Sequence, residues 1–232
     1  MSILTYTYES QYLNNNTQVT VILPDKPRGI TPTDFYRSGK KYKVLWLLHG
    51  TYGDHTDWVR RTNIEMYATE KNLVVVMPSA LNSNCSNWNE YMLGYHMYDY
   101  LTEELMPLVY GWLPVSDRRE DNFIAGLSMG GRGTIKYAVN HPEKFAAAAV
   151  LSATPMDFSK MSPTNPCPML NTTDDRTRTT LLNAGGLEAF LNSNENVWKI
   201  LEEKAGTGAL PRLMFAVGEN DMMLIDLFRQ FQ

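Results

Sequence analysis

Two uninterrupted apolar runs, KVLWLLHG at residues 43–50 and LVVVMPS at 73–79, set the tightest limit on how this chain can fold. Each has the length of a strand but lacks the polar/apolar alternation of a strand with one wet face. Such runs belong to parallel strands covered by helices on both sides, where neither face of the pleat meets water. The intervening DWVRRTNIEMYATEKN carries Trp58, Ile64, Met66 and Ala68 among charges and reads as a helix or a broken one. From His96 to Gly111, Met97, Leu101, Leu105 and Leu108 or Val109 recur every three or four residues, with Glu103 and Glu104 expected on the other side: an amphipathic helix.

The same alternation continues downstream. NFIAGLS (122–128) is a strand, RGTIKYAVNHPEKF has helical period as far as His141-Pro142, and AAAAVLSA (146–153) is a strand of small residues. VWKILEEKAG then gives a short helix, and LPRLMFAVGEND a strand ending in an acidic turn. Upstream, TQVTVIL (17–23) alternates as an antiparallel edge strand would, and Pro24, Pro27 and Gly29 end it. Strand and helix in turn predict an α/β fold, a mostly parallel sheet with helices on both faces. Residues 155–196, rich in Pro, Ser, Thr and Asn, are too long for an ordinary connection and read as a partly helical, cap-like excursion over the sheet.

With 232 residues, 44% of them hydrophobic, the chain can build one sizeable core, so residues 1–232 are expected to form a single domain. The net charge of −4, with basic residues scattered, gives no footprint for nucleic acid or an anionic membrane. No run of about 18 apolar residues occurs, and the N-terminal MSILTYTYESQYLNNN does not have the build of a secretory signal. Cys85 and Cys167 lie in loops without metal-type spacing; a reducing, cytoplasmic setting is the expectation.

FIAGLSMGGRG places Ser128 in the pattern G-x-S-x-G, directly between a strand and a helix. A nucleophile on so sharp a bend needs a strained backbone, and a Cβ two residues to either side would crowd it, hence Gly126 and Gly130. The bend lifts the hydroxyl clear of the sheet and leaves the Met129 N–H unpaired at a helix start. LLHGTYGD supplies a second feature: a buried strand ending in His49-Gly50, whose following amide, Thr51 N–H, is the candidate second donor for a developing oxyanion. The alternative is a turn that uses Gly50 and Gly53 for geometry alone. Asp221, in the turn after a late strand, is the candidate acid, ranked above Glu219; the alternatives are an N-cap for the helix beginning DMMLIDLF, which can coexist with that role, or a place in a solvated turn. Trp88 and Tyr91 are candidates for lining a substrate pocket or for packing.

LLHGTYGDHTDWVRRTNIE, VVVMPSA, YDYLTEELMPLV, FIAGLSMGGRG, HPEKFAAAAVLS and LPRLMFAVGENDMM together resemble, in content and order, the "Putative esterase" family of α/β-hydrolases, which includes esterase D (S-formylglutathione hydrolase), tributyrin and acetyl esterases and feruloyl esterases. The resemblance implies serine-dependent hydrolysis of small carboxylic esters through an acyl-enzyme, without metal or organic cofactor. In it Ser128 matches the nucleophile, Asp221 the acid, and Thr51 and Met129 the oxyanion amides.

Members of that family place a catalytic histidine a few tens of residues beyond the acid, after one more strand; this sequence ends at Gln232 with neither. The expectation is therefore an incomplete copy of a longer esterase, lacking the last strand and C-terminal helix, with an exposed edge at Leu213 to Val217 that invites self-association. Four histidines remain as substitutes for the base: His49, which reads as packed beneath the oxyanion loop, His141, which reads as a cap or surface group, and His55 and His96, either of which could reach a pocket. Other readings are an S-formylglutathione thioesterase and a non-catalytic binding or scaffold protein on a hydrolase fold.

Overall fold

A computed structural model describes residues 1–89, 93–158 and 175–232, and only the backbone of 175–177. Nine strands are described: β1 (Ser2–Ser10), β2 (Asn15–Leu23), β3 (Val44–Leu48), β4 (Val74–Pro78), β5 (Asn87–Trp88), β6 (Tyr95–His96), β7 (Asn122–Leu127), β8 (Ala147–Leu151) and β9 (Arg212–Ala216). Seven of them form one sheet in the order β1-β2-β4-β3-β7-β8-β9, and β5 pairs with β6 in a separate small hairpin. The strands from β4 to β9 in that order run parallel, while β1 and β2 join antiparallel at one side.

The two apolar runs are central strands for the expected reason. Trp46, Leu48, Val74 and Val76 enter one core, while Leu47, Val75 and Met77 enter another on the opposite face. Alternate residues of β3 and β4 thus serve two dry faces, and no position is left for a polar side chain. Buried Asn122, at the start of β7, satisfies the one polar atom of the Trp46 ring: its Oδ1 accepts from the indole Nε1–H at 3.0 Å.

Three features differ from the sequence reading. β2 is not the edge strand, because β1 pairs along its whole length. The inward positions of β1 include Tyr6 and Tyr8 rather than aliphatic residues, so its alternation reads weakly. The helix expected from His96 to Gly111 is interrupted: a short turn at Met97–Asp99 leads into a π-helical stretch, Tyr100–Leu105, and then Met106–Trp112. Pro107 has no N–H for an ordinary helical bond, and the Met106 N–H reaches back to Leu101 O. Met97, Leu101, Leu105 and Val109 are buried as expected. Glu104 is not on the solvent side; its carboxylate accepts from Ser10 Oγ at 2.9 Å and Tyr12 N–H at 3.1 Å, tying this segment to the β1–β2 turn.

The segment after Thr56 is a broken helix, Asp57–Arg61 then Ile64–Lys71. Of the 155–196 excursion, helices at Asp175–Asn183 and Leu187–Leu191 are described; Cys167 lies outside the described residues. Among the described residues β9 has a strand on one side only, β8. A short helix, Ile225–Phe231, follows it and sets Phe231 against Phe215 and Trp198. No helix among the described residues is long and apolar enough to cross a membrane.

Candidate active site

Ser128 stands between the last residue of β7 and the helix Met129–Asn140, with φ 54° and ψ −114°. That left-handed backbone is strained for a side chain with a Cβ, and it is held by a 2.8 Å bond from Ser128 N–H to Leu151 O on β8. The hydroxyl is exposed and makes no capping bond to the helix it precedes. Both flanking glycines are required by close approach. A Cβ on Gly126 would run into the Gly130 carbonyl, and one on Gly130 would stand 2.5 Å from the carbonyl oxygens of both Leu48 and His49.

Those carbonyls belong to the end of β3, so the loop Gly50–Gly53 is brought against the bend. A Cβ on Gly50 would lie 3.7 Å from Ser128 Cβ. Thr51, Ser128 and Met129 line one cleft of about 430 Å³. Among the described residues, neither the Thr51 nor the Met129 amide has a hydrogen-bond acceptor. Two donors without partners beside an exposed hydroxyl are what an oxyanion site requires.

The excursion supplies a wall of this cleft through Phe158, Leu181 and Phe190, with Phe158 edge-on to Phe190 at 4.8 Å. Its polar end holds Lys136 and Glu195. The buried Lys136 ammonium donates to both carboxylate oxygens of Glu195 at 3.0 Å, to Ser86 Oγ at 2.9 Å and to Asn84 O at 3.3 Å. No local pattern announces this pair, because its members are distant in sequence and meet only when the excursion folds back. Trp88 is not on the cleft: it packs in the main core with its indole N–H donating to Ser83 O at 2.8 Å. Burying so large a ring with its single donor satisfied favours packing over solvent contact. Tyr91 lies outside the described residues.

Asp221 sits in the turn after β9, where its Oδ1 accepts from the N–H groups of Met223 and Leu224, both at 3.1 Å. Asp221 thus braces the turn ahead of the helix Ile225–Phe231, whose N-cap is Leu224 and carries no side-chain cap bond. Met223 and Leu224 reach the cleft, whereas Asp221 and Glu219 are not among its lining residues.

No histidine lines the cleft among the described residues. His49 is buried, and burial lowers its pKa; its Nδ1–H donates to Gly50 O at 2.7 Å and its Nε2 accepts from Ala80 N–H at 2.8 Å. His55 also has both ring nitrogens engaged, by Thr20 Oγ1 at 2.6 Å and Gln18 Oε1 at 3.2 Å. His96 lies on β6, opposite Asn87. His141 follows the far end of the helix that Ser128 begins, about 20 Å away at 1.5 Å per residue, and its Nε2 is hydrogen-bonded to Tyr98 OH. Among the described residues no group of three or more His, Cys, Asp or Glu could hold a metal ion.

A mostly parallel sheet with a strained serine at the strand-to-helix bend defines the α/β-hydrolase fold. Residues 10–216 match the family described as "Putative esterase", and the chain belongs to that family. It is 30% identical over 154 residues to an acetyl esterase of Caldicellulosiruptor saccharolyticus, a match spanning 66% of this chain but 56% of that protein. Among solved structures it is similar to the fluorophosphonate-binding serine hydrolase F of Staphylococcus aureus, with a TM-score of 0.80 and 31% identity over 99% of this chain and 84% of the other. It is also similar to the S-formylglutathione hydrolase of the same organism, with a TM-score of 0.76 at the same identity and coverage.

Proposed function

We propose that this chain carries the acyl-transfer machinery of a serine esterase acting on small carboxylic esters. Ser128 Oγ gives its proton to a base and attacks the ester carbonyl, and the Thr51 and Met129 amides hold the oxyanion of the tetrahedral intermediate. Its collapse breaks the ester C–O bond and releases the alcohol, protonated by the same base, leaving an acyl-enzyme that water opens to the free acid. Asp221, with only Oδ1 committed to the turn, is the group to orient a base. The carrying observation is the exposed Ser128 hydroxyl on a strained bend beside two amides that have no acceptor among the described residues. The names of its relatives support acetyl and other short acyl groups, with a thioester such as S-formylglutathione within the same chemistry. The apolar wall of Phe158, Leu181 and Phe190 suits a small acyl group or a ring such as feruloyl.

A second reading is favoured by one observation: none of the four histidines reaches the cleft. On that reading the fold binds an ester without turning it over. A fluorophosphonate probe separates the two, applied to the chain and to Ser128→Ala, with and without added imidazole. Labelling at Ser128 that imidazole accelerates supports an acyl-transfer site short only of its base. A folded chain that stays unlabelled under both conditions favours the binding protein.

A further inference from the structure

Building on the esterase reading, we propose that His49 is a positioning residue, whose ring sets the plane of the Gly50–Thr51 peptide and so directs the Thr51 N–H into the cleft. The Gly50 carbonyl and the Thr51 N–H belong to one planar trans peptide and point in opposite directions. Whatever holds the carbonyl therefore aims the amide.

Two donors hold that carbonyl: His49 Nδ1–H at 2.7 Å and Gly53 N–H at 3.1 Å. The ring is anchored in turn by Nε2, which accepts from Ala80 N–H at 2.8 Å just past the end of β4, and it is only 2% exposed. A carbonyl can only accept and an amide can only donate, so these partners impose a neutral ring with its proton on Nδ1. At Gly53 a Cβ would stand 3.0 Å from His49 Nδ1 and displace the Asp57 carboxylate, so the bare glycine leaves room for the ring beside its own N–H. Gly50 itself has no Cβ to resist rotation of the peptide. Without the clamp, a flip would turn the carbonyl toward Ser128 and put an acceptor where a donor is needed.

The two ring functions can be removed separately. His49→Asn keeps an N–H at the δ position but loses the acceptor for Ala80; His49→Gln keeps an acceptor within reach of Ala80 and loses the donor to Gly50. Crystal structures should show the Gly50 carbonyl turned toward residue 49 in the wild type and the Asn variant, and flipped or mixed in the Gln variant. With p-nitrophenyl acetate in the imidazole-supplemented assay, kcat should fall about 10- to 100-fold in His49→Gln at little-changed KM, and His49→Asn should recover most of it. Nitrogen-15 spectra of the wild type should show Nδ1 protonated and Nε2 bare, a readout that needs no variant to fold.

The opposite tautomer, an unflipped peptide in a folded Gln variant, or equal impairment of the two variants would each overturn the proposal. A wild type with no Ser128-dependent labelling or turnover would defeat the esterase reading separately. The peptide orientation in the variants would then still support or overturn the clamp.

Discussion

The Lys136 ammonium, 3% exposed, lies 3.0 Å from each carboxylate oxygen of Glu195, and joins the helix behind Ser128 to the excursion that walls the cleft. The two partners are unequally buried, Glu195 being 20% exposed. Glu195→Ala strands a buried cation and should cost about 3 kcal/mol of stability. Lys136→Met lets the carboxylate turn toward water and should cost about 1 kcal/mol. Urea unfolding of both variants checks the asymmetry, and equal costs would count against it.

Glycine substitutions should divide sharply by site. Gly130→Ala forces a Cβ to within 2.5 Å of two backbone carbonyl oxygens, neither of which can yield without moving β3, and should cost about 3 kcal/mol or more. Gly111, in the helix Met106–Trp112, faces open space and has ordinary backbone, so Gly111→Ala should stabilise by about 0.5–1 kcal/mol. Thermal melts of the two variants, run side by side, test both signs.

Stability should fall on mild acidification. Burial lowers the pKa of His49 and of His141 below the usual 6.5, only partly opposed at His49 by its hydrogen bond to the Gly50 carbonyl and by Asp57 and Asp54, and at His141 by Glu143. As pH drops below 6.5 the unfolded chain takes up protons that the folded one still refuses, which favours unfolding. These two groups therefore contribute fully above about pH 7, and their contribution declines below 6.5. Urea midpoints measured from pH 7.5 to 5 should be level at first and then decrease; a rise would contradict this assignment.

Cys85 should be inert in the folded protein. It is fully buried beneath Gly133, and burial pushes its thiol up to about 11, so almost no thiolate is present at pH 8. Iodoacetamide followed by peptide mapping should leave Cys85 unmodified in buffer and modify it in urea. Rapid native labelling would show that the segment opens.

The sequence alone determined the central strands and the serine. β3 and β4 need both faces dry, a requirement written in consecutive residues, and the G-x-S-x-G pattern is itself contiguous, although what crowds Gly130 is the distant end of β3 while Gly126 is crowded by Gly130 nearby. Helices were legible wherever one face repeated, as in Met97, Leu101 and Leu105, but the π-helical winding before Pro107 was not, because it trades one backbone bond for another without altering that face. β1 was hidden by its tyrosines. Tertiary structure decided everything that depends on distant residues meeting. It sent Trp88 into the core, set Lys136 against Glu195, gave His49 Nε2 and both nitrogens of His55 to partners on other strands and loops, and kept all four histidines off the cleft. A side chain's role there depends on which hydrogen-bond partners folding brings within about 3 Å, and spacing along the chain carries no record of that distance.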